Sequence, residues 1–197
     1  MQIQDPISIE LDPETINLLD ETEAALAQVA RSRPFNDDIS SRISREFIPD
    51  RITASLNIEG INVSRRQTLL MMDAMTIDSN SSKNEVEIFN ALKADEFVFE
   101  LSKDMSRPLD AGSLRQIHGI LQKDLLESAG SYRNANVEIT GAKFQPPEAT
   151  EVPHLIQQMI DVFHSSASRC HPLLISAWLH CTFTAIHPFE DGNGRTG

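Results

Sequence analysis

An apolar stretch near the end of the sequence constrains the fold more than any other feature. Residues 172–186 carry leucine, isoleucine, alanine, tryptophan and phenylalanine side chains with almost no charge. A helix that is apolar on nearly every side has to be buried among other elements. We therefore predict a central buried helix from Pro172 to Ile186, with Trp178 in the core.

Most of the remaining chain places apolar residues three and four positions apart, which predicts amphipathic helices. Asp12 followed by Pro13 is typical of a helix start, and the pattern after it predicts a helix from Pro13 to Arg31. Ser64 and Gln67 have the spacing of a capping box. Further helices are predicted over residues 51–59, 64–75, 85–101, 110–126 and 153–164. The sequence thus predicts a mainly α fold.

One segment has the pattern of strands. Residues 137–140 alternate apolar and polar side chains before Gly141, and the excursion ends in two prolines. Alternation beside glycine and proline favours strands joined by a turn. We predict a short exposed β-hairpin from Val137 to Pro147.

Charge and composition exclude several classes of partner. The chain has 17 basic and 29 acidic residues, a net charge of −12, which repels a nucleic-acid backbone. Two cysteines, Cys170 and Cys181, form no disulfide framework, and we expect reduced, buried thiols. Without a signal-peptide pattern or an apolar run long enough for a membrane, we expect a cytoplasmic protein with no membrane partner.

A glycine-rich loop follows the apolar helix directly. Gly192 and Gly194 flank Asn193, and such a pattern allows successive backbone amides to turn inward and bind an anion such as phosphate. Arg195 adds a forked cation suited to phosphate oxygens. A lone glycine pair, however, is usually only a turn.

Two further residues of this loop carry chemistry. Asp191 supplies a carboxylate able to hold a magnesium ion that bridges phosphates. His187 stands at the mouth of the loop, where an imidazole can take a proton from a hydroxyl. Because a lone histidine is usually structural, spacing alone leaves a catalytic and a structural role open for His187. The other isolated histidines, His118, His154 and His164, are expected in surface or core roles.

The nine residues His187 to Arg195 resemble the signature of the Fic family, His-Pro-Phe-x-(Asp/Glu)-Gly-Asn-Gly-Arg, at every fixed position. The resemblance implies a helical bundle with a hairpin flap, here Val137 to Pro147, along which a target protein docks by strand addition. It also implies that His187 deprotonates a Ser, Thr or Tyr hydroxyl, which attacks the α-phosphorus of ATP. Asp191 would then hold Mg²⁺, and the residues binding the phosphates would be Gly192, Asn193, Gly194 and Arg195.

A second, shorter pattern lies near the N-terminus. Ser55, Glu59 and Gly60 resemble the inhibitory motif (Ser/Thr)-x-x-x-Glu-(Gly/Asn) of autoinhibited Fic proteins, in which the glutamate pairs with a second arginine of the signature. The sequence ends at Gly197, before that arginine, so Glu59 is expected to lack its main partner. Judged without the resemblance, Glu59 is a solvated residue before a helix-ending glycine.

The resemblance therefore predicts two regions. Residues 1–82 form an N-terminal helical region with the inhibitory helix, and residues 83–197 form a Fic core that stops within the catalytic motif. The predicted function is a protein adenylyltransferase, restrained by Glu59. Transfer or removal of another nucleotidyl group is a second possibility, and a non-catalytic module that binds nucleotide is a third.

Overall fold

Helices account for most of the residues that the structure describes. A computed structural model describes residues 1–33, 37–74, 76–104, 106–139, 141 and 143–197. Within these residues the helices are α1 (Pro13–Arg31), α2 (Asp37–Ile58), α3 (Arg65–Ala74), α4 (Lys83–Lys103), α5 (Ala111–Leu121), α6 (Val152–Ser166), α7 (Pro172–Ile186) and α8 (Asn193–Thr196). Short 3-10 turns lie at Pro6–Ser8 and Ala149–Glu151. The prediction of a mainly α fold is confirmed.

Strong capping signals gave correct helix ends. The helices α1 and α7 have the predicted bounds, and the Asp12 carboxylate accepts a hydrogen bond of 2.8 Å from the Thr15 amide at the start of α1. The capping box before α3 is also present, since Gln67 Oε1 accepts from the Ser64 amide at 2.8 Å. The predicted continuation of α3 to Met75 lies outside the described residues.

Two helices differ from their predicted bounds by more than two residues. The helix α2 begins at Asp37 rather than at residue 51, and it continues through Pro49. Pro49 is fully buried, so packing compensates for the helix hydrogen bond that a proline cannot donate. The helix α5 ends at Leu121 instead of residue 126, because the chain turns there and Asp124 takes a left-handed conformation with φ 61°.

The predicted β-hairpin from Val137 to Pro147 is wrong. No strand occurs in the described part of this segment, and Thr140 and Ala142 lie outside it. Side chains rather than a backbone ladder join its ends: Arg133 donates to the Pro147 carbonyl at 2.5 Å, and Asn136 accepts from the Ala149 amide at 2.8 Å. A pattern of alternating residues was too short to specify cross-strand pairing.

The core consists of two apolar clusters. One joins α6 and α7 and includes Ile156, Trp178 and Phe183, whereas the other joins α2, α3, α4 and α5 and includes Leu56. The prediction that Trp178 is a core residue is confirmed. The second cluster thus packs the end of α2 against α4 and α5, which places Glu59 near the final loop.

The helix α7 is less buried than predicted. Ile175 and Ile186 point into the core, but Leu173 on the other side is 49% exposed. Cys170 and Cys181 are free thiols, as expected, yet Cys181 is exposed rather than buried. The apolar composition of α7 therefore predicted more burial than the structure shows. Within the described residues, no helix combines the length and apolarity needed to cross a membrane.

Candidate functional site

His187 ends α7 in an unusual backbone conformation. Its φ of 52° and ψ of 59° are left-handed, a region that non-glycine residues seldom occupy and that costs free energy. The His187 amide still donates to the Phe183 carbonyl at 3.0 Å, which closes the last turn. The strained geometry lets the chain leave the helix sharply, so that the glycine loop folds back beside the imidazole.

The imidazole of His187 is set up to accept a proton. Its Nδ1 lies 3.3 Å from the Thr184 carbonyl, and a hydrogen bond there requires the proton on Nδ1 and leaves the lone pair on Nε2. Burial lowers the pKa of His187 below its usual 6.5; the Thr184 hydrogen bond opposes this shift and the Arg133 charge adds to it. The ring is therefore neutral at neutral pH.

Phe189 fastens the loop to the core. Its ring stacks on that of His118, with centroids 3.7 Å apart and planes 2° apart. Its backbone makes two bonds with the Asn193 side chain: the Phe189 amide donates to Oδ1 at 2.9 Å, and Nδ2 donates to the Phe189 carbonyl at 3.0 Å. The buried Asn193 side chain therefore shapes the loop, and only its backbone amide is available to a phosphate.

His118 supports the same loop from α5. This fully buried residue accepts a hydrogen bond from the Gly130 amide at Nδ1, at 2.9 Å. Its Nε2 therefore carries the proton and donates to the Asp191 carbonyl at 3.0 Å. Burial lowers the pKa of His118, which stays neutral. Of the surface and core roles left open for His118, the structure shows the core role, and its contact with Asp191 could not be predicted from spacing.

Arg133 holds the loop from the opposite side and was not predicted as a site residue. This buried side chain donates from Nε to the His187 carbonyl at 2.8 Å and from Nη1 to the Ala135 carbonyl at 3.0 Å. Its backbone amide donates to the Pro188 carbonyl at 2.9 Å. Arg133 therefore ties the strained turn at His187 to the segment that follows α5.

The glycine loop opens into the short helix α8. Gly192 has φ 72°, and a side chain at this position would lie 2.3 Å from Nε2 of Gln122. The Gly192 amide already donates to the Asp191 carboxylate at 2.7 Å. The next amides, on Asn193, Gly194 and Arg195, belong to the first turn of α8, whose donors lack partners within the helix. This turn is suited to an anion.

The carboxylate of Glu59 occupies that turn. Its Oε1 accepts from the Arg195 amide at 2.7 Å, and its Oε2 accepts from Arg195 Nε at 2.5 Å. A Cβ on Gly194 would lie 2.3 Å from Oε1 of Glu59. The Arg195 side chain is only 6% exposed and that of Glu59 20%. Glu59 thus has a partner other than the second arginine that the motif implies, because the guanidinium and the amide of Arg195 bind it.

The other residues of the N-terminal motif play smaller parts. Gly60 has φ 83°, a conformation that suits glycine just beyond the end of α2. Ser55 lies one turn before Glu59 and borders, with Arg195, a groove of about 370 Å³. No hydrogen bond joins the described side chains of Ser55 and Glu59.

Asp191 places an exposed carboxylate on the same loop as His187 and Arg195. Its side chain is 67% exposed, and its Oδ2 lies 3.4 Å from Nη2 of Arg195. Among the described residues, no three His, Cys, Asp or Glu side chains converge as a metal cage. A single exposed carboxylate fits Mg²⁺ that takes its other ligands from phosphate and water.

Two buried polar residues beside the loop were missed. Glu87 on α4 is 5% exposed and its Oε2 has no hydrogen bond, and Nε2 of the buried Gln122 also lacks one. The signal for Glu87 was an acid on the face of α4 that also holds Asn90 and Ala91. An acid on a core-facing stripe is seldom buried unless it pairs with a cation.

The comparisons with known proteins agree with this geometry. Residues 108–197 match the Fic/DOC family. Protein adenylyltransferase Fic of Drosophila willistoni is 28% identical over 94% of this chain and 36% of its own length. A probable protein adenylyltransferase of Aquifex aeolicus is 39% identical over 34% of this chain and 20% of its own length. The chain thus spans about a third of the length of the first of these relatives.

Solved structures show the same fold. A Fic family protein from Desulfovibrio desulfuricans matches with a TM-score of 0.78 and 27% identity, over 98% of this chain and 57% of the other. A Fic-domain signaling protein from Bacteroides thetaiotaomicron matches with a TM-score of 0.80 and 24% identity, over 88% of this chain and 68% of the other. The chain has an all-helical Fic-like fold, its residues 108–197 match the Fic/DOC family, and it is distantly similar to proteins named protein adenylyltransferase Fic.

Proposed function

We propose that this protein transfers AMP from ATP to a hydroxyl of a target protein, and that Glu59 restrains the transfer. One observation carries the proposal: a neutral imidazole, His187, stands at the mouth of an anion-binding turn that already holds a carboxylate. The relatives named protein adenylyltransferases support the same reaction. A base beside a phosphate-binding turn is what nucleotidyl transfer to a hydroxyl requires.

His187 acts as the general base. Nε2 takes the proton of a target Ser, Thr or Tyr hydroxyl as its oxygen attacks the α-phosphorus of ATP. A bond forms between that oxygen and phosphorus, the bond from the α-phosphorus to the bridging oxygen breaks, and pyrophosphate leaves. The low pKa of His187, caused mainly by burial, keeps the base unprotonated at neutral pH.

The turn from Gly192 to Arg195 binds the phosphates. Its free amides and the Arg195 guanidinium donate to the phosphate oxygens and stabilise charge as pyrophosphate departs. Asp191 would hold Mg²⁺, whose charge would help to neutralise the phosphates. Asn193 contributes its backbone alone, because Phe189 engages its side chain.

Glu59 restrains the enzyme by competing with phosphate. Its carboxylate takes the Arg195 amide and Nε, so a phosphate reaches these donors only when Glu59 leaves. Ser55 and Gly60 contribute to the same restraint by their place at the end of α2. Ser55 lies one turn before Glu59, and Gly60 allows the turn that directs Glu59 toward Arg195. In this view residues 1–82 regulate a core formed by residues 83–197.

The target docks beside the loop in the same proposal. Residues 137–139 lie outside any helix and Glu138 is exposed to solvent, and Arg133 and Asn136 fix the ends of the segment that contains them. An extended backbone with free donors and acceptors can pair with a target strand. This docking places a target hydroxyl near His187.

Covalent labelling tests the reaction. The protein with Glu59→Gly is incubated with Mg²⁺ and ATP labelled at the α-phosphate, with a mixture of candidate proteins or with itself as target. Stable label on protein is expected, and none is expected with Glu59→Gly/His187→Ala. ATP binding without any label would instead indicate a non-catalytic nucleotide-binding module. Label from another nucleotide, but not from ATP, would show that the protein transfers a group other than AMP.

A further inference from the structure

Arg195 faces a second buried carboxylate that the contact with Glu59 does not use. Oε2 of Glu87 lies 3.8 Å from Nη1 of Arg195, and the two side chains are 5% and 6% exposed. That oxygen has no hydrogen bond. The other carboxylate oxygen of Glu87, Oε1, lies 3.6 Å from Nζ of Lys83, whose side chain is 76% exposed. An ion pair with a solvated lysine contributes little to stability. A buried oxygen left without a donor calls for an explanation.

The guanidinium of Arg195 presents different edges to its acidic neighbours. Nε binds Glu59, Nη2 lies 3.4 Å from the Asp191 carboxylate, and Nη1 points toward Glu87. The Nε and Nη2 side faces the anion-binding turn, whereas Nη1 faces α4. A guanidinium has five donors in a rigid fork, so Glu87 and a phosphate can be bound at the same time.

The two glutamates are anchored differently. Glu87 lies within α4, and Asn90 one turn later donates to the carbonyls of Leu121 at 3.2 Å and Lys123 at 2.7 Å. These bonds fix α4 against the end of α5. Glu59, in contrast, lies in the turn after α2, where a small rotation of the turn withdraws its side chain. Glu59 is placed to leave Arg195, and Glu87 is placed to stay.

We propose that Glu87 is a positioning residue that holds Arg195 when Glu59 leaves. With Glu59 bound, the 3.8 Å separation of Nη1 and Oε2 is too long for a hydrogen bond. Release of Glu59 lets Nη1 close on Oε2 in a charge-assisted hydrogen bond, which keeps Nε and Nη2 directed toward phosphate. Arg195 is thus shared between Glu59 in the restrained state and Glu87 in the nucleotide-bound state. This inference rests on the proposed function, which makes ATP the ligand of Arg195.

The first test measures the affinity for Mg²⁺-ATP by calorimetry. Glu87→Gln keeps the shape of the side chain and removes its charge. In the Glu59→Gly background it should weaken binding by about five- to tenfold, as expected when a charge-assisted hydrogen bond becomes a neutral one. Glu96→Gln, on the exposed part of the same helix, is the matched control and should change nothing. Equal affinity of Glu59→Gly and Glu59→Gly/Glu87→Gln overturns the inference.

Thermal unfolding separates positioning from structure. Because Glu87→Gln removes a buried charge whose Oε2 lacks a hydrogen bond, the unfolding temperature should stay the same or rise while the affinity falls. A parallel loss of stability and affinity would mean that Glu87 acts through the fold, and this result would also overturn the inference.

A second test needs no nucleotide. The Nε–Hε signal of Arg195, assigned by its loss in Arg195→Lys, reports the order of the guanidinium by NMR. In Glu59→Gly it should remain ordered, and Glu87→Gln should make it mobile. An equally ordered signal in both proteins overturns the inference. If Glu59→Gly does not bind Mg²⁺-ATP, the proposed function fails, and this signal still decides the role of Glu87.

Discussion

Both the backbone amide and the guanidinium of Arg195 bind the carboxylate of Glu59, which lies 136 residues earlier in the chain. The carboxylate thereby satisfies an amide in the first turn of α8, as a bound anion would. Since Gly194 leaves room for Oε1 where a Cβ would come within 2.3 Å, the turn accepts this carboxylate closely. The end of α2 and the final loop are therefore joined at the atoms that a phosphate would use.

Removing the Glu59 carboxylate should release Arg195 for ATP. Charge-assisted hydrogen bonds contribute about 1.5 to 3 kcal/mol, so Glu59→Gly should tighten binding of Mg²⁺-ATP by roughly ten- to a hundredfold. Calorimetric titration measures the change. Glu127→Gly, at an exposed acidic residue in another turn, is the matched control. Unaltered affinity in Glu59→Gly would show that Glu59 does not compete with nucleotide.

The pH dependence of transfer should follow the neutral form of His187. Its folded pKa lies below 6.5, mainly because of burial, and only the unprotonated ring can act as base. In Glu59→Gly, kcat/KM should rise as pH increases through this pKa and stay level from pH 7 upward. Removal of Glu59, whose charge raises the pKa of His187, should move the rise to lower pH. Activity that still climbs steeply between about pH 7 and 9 would contradict this assignment of the base.

Sequence patterns predicted local features well and long-range contacts poorly. The bounds of α1 and α7 followed from capping residues and first-turn prolines, which act over a few positions. The start of α2 was missed because burial of Pro49 depends on tertiary packing. The strands around Gly141 were wrongly predicted because a short alternating pattern does not specify a pairing partner.

In the site too, sequence motifs identified the residues of one loop but not the contacts that the folded chain makes between distant residues. The resemblance to the Fic signature singled out His187, Asp191 and Arg195, which one loop brings together. The second resemblance, to the inhibitory motif, singled out Glu59 but implied a different arginine as its partner, since spacing cannot identify a contact across 136 residues. The sequence did not single out Glu87 because an acid on an amphipathic helix is usually solvated, and its burial arises only when α4 packs against its neighbouring helices α2, α3 and α5.

Asp191 should determine how much Mg²⁺ the reaction needs. Asp191→Asn keeps an oxygen to accept from the Gly192 amide, which the carboxylate binds at 2.7 Å, but it removes the charge available to the cation. In the Glu59→Gly background, Asp191→Asn should raise the Mg²⁺ concentration for half-maximal labelling by roughly tenfold or more, as changes around metal sites commonly do. Glu190→Gln, on the adjacent residue, is the control. An unchanged Mg²⁺ titration would place the metal ligand elsewhere.

The final prediction concerns the stability that His118 gives to the loop. His118→Phe keeps an aromatic ring against Phe189 but leaves the Gly130 amide and the Asp191 carbonyl without their bonds to the imidazole. A buried group left unsatisfied costs about 1 to 3 kcal/mol. Since both of these bonds are only part-buried, the free energy of unfolding should fall by roughly 2 to 4 kcal/mol at pH 7. Denaturant titration measures the loss, and His154→Phe, at an exposed histidine of α6, is the control.

The same variant should change the pH dependence of stability. The folded pKa of His118 lies below 6.5 because of burial, so below that pH the unfolded chain binds a proton that the folded chain excludes. The wild type should therefore lose stability as pH falls from 6.5 toward the folded pKa. His118→Phe should lose less over this window, and the remaining slope includes His187, whose pKa is lowered in the same direction. Identical slopes of unfolding free energy against pH in the two proteins would mean that His118 binds its proton equally well in the folded and unfolded chain. This result would contradict the role given to its two hydrogen bonds.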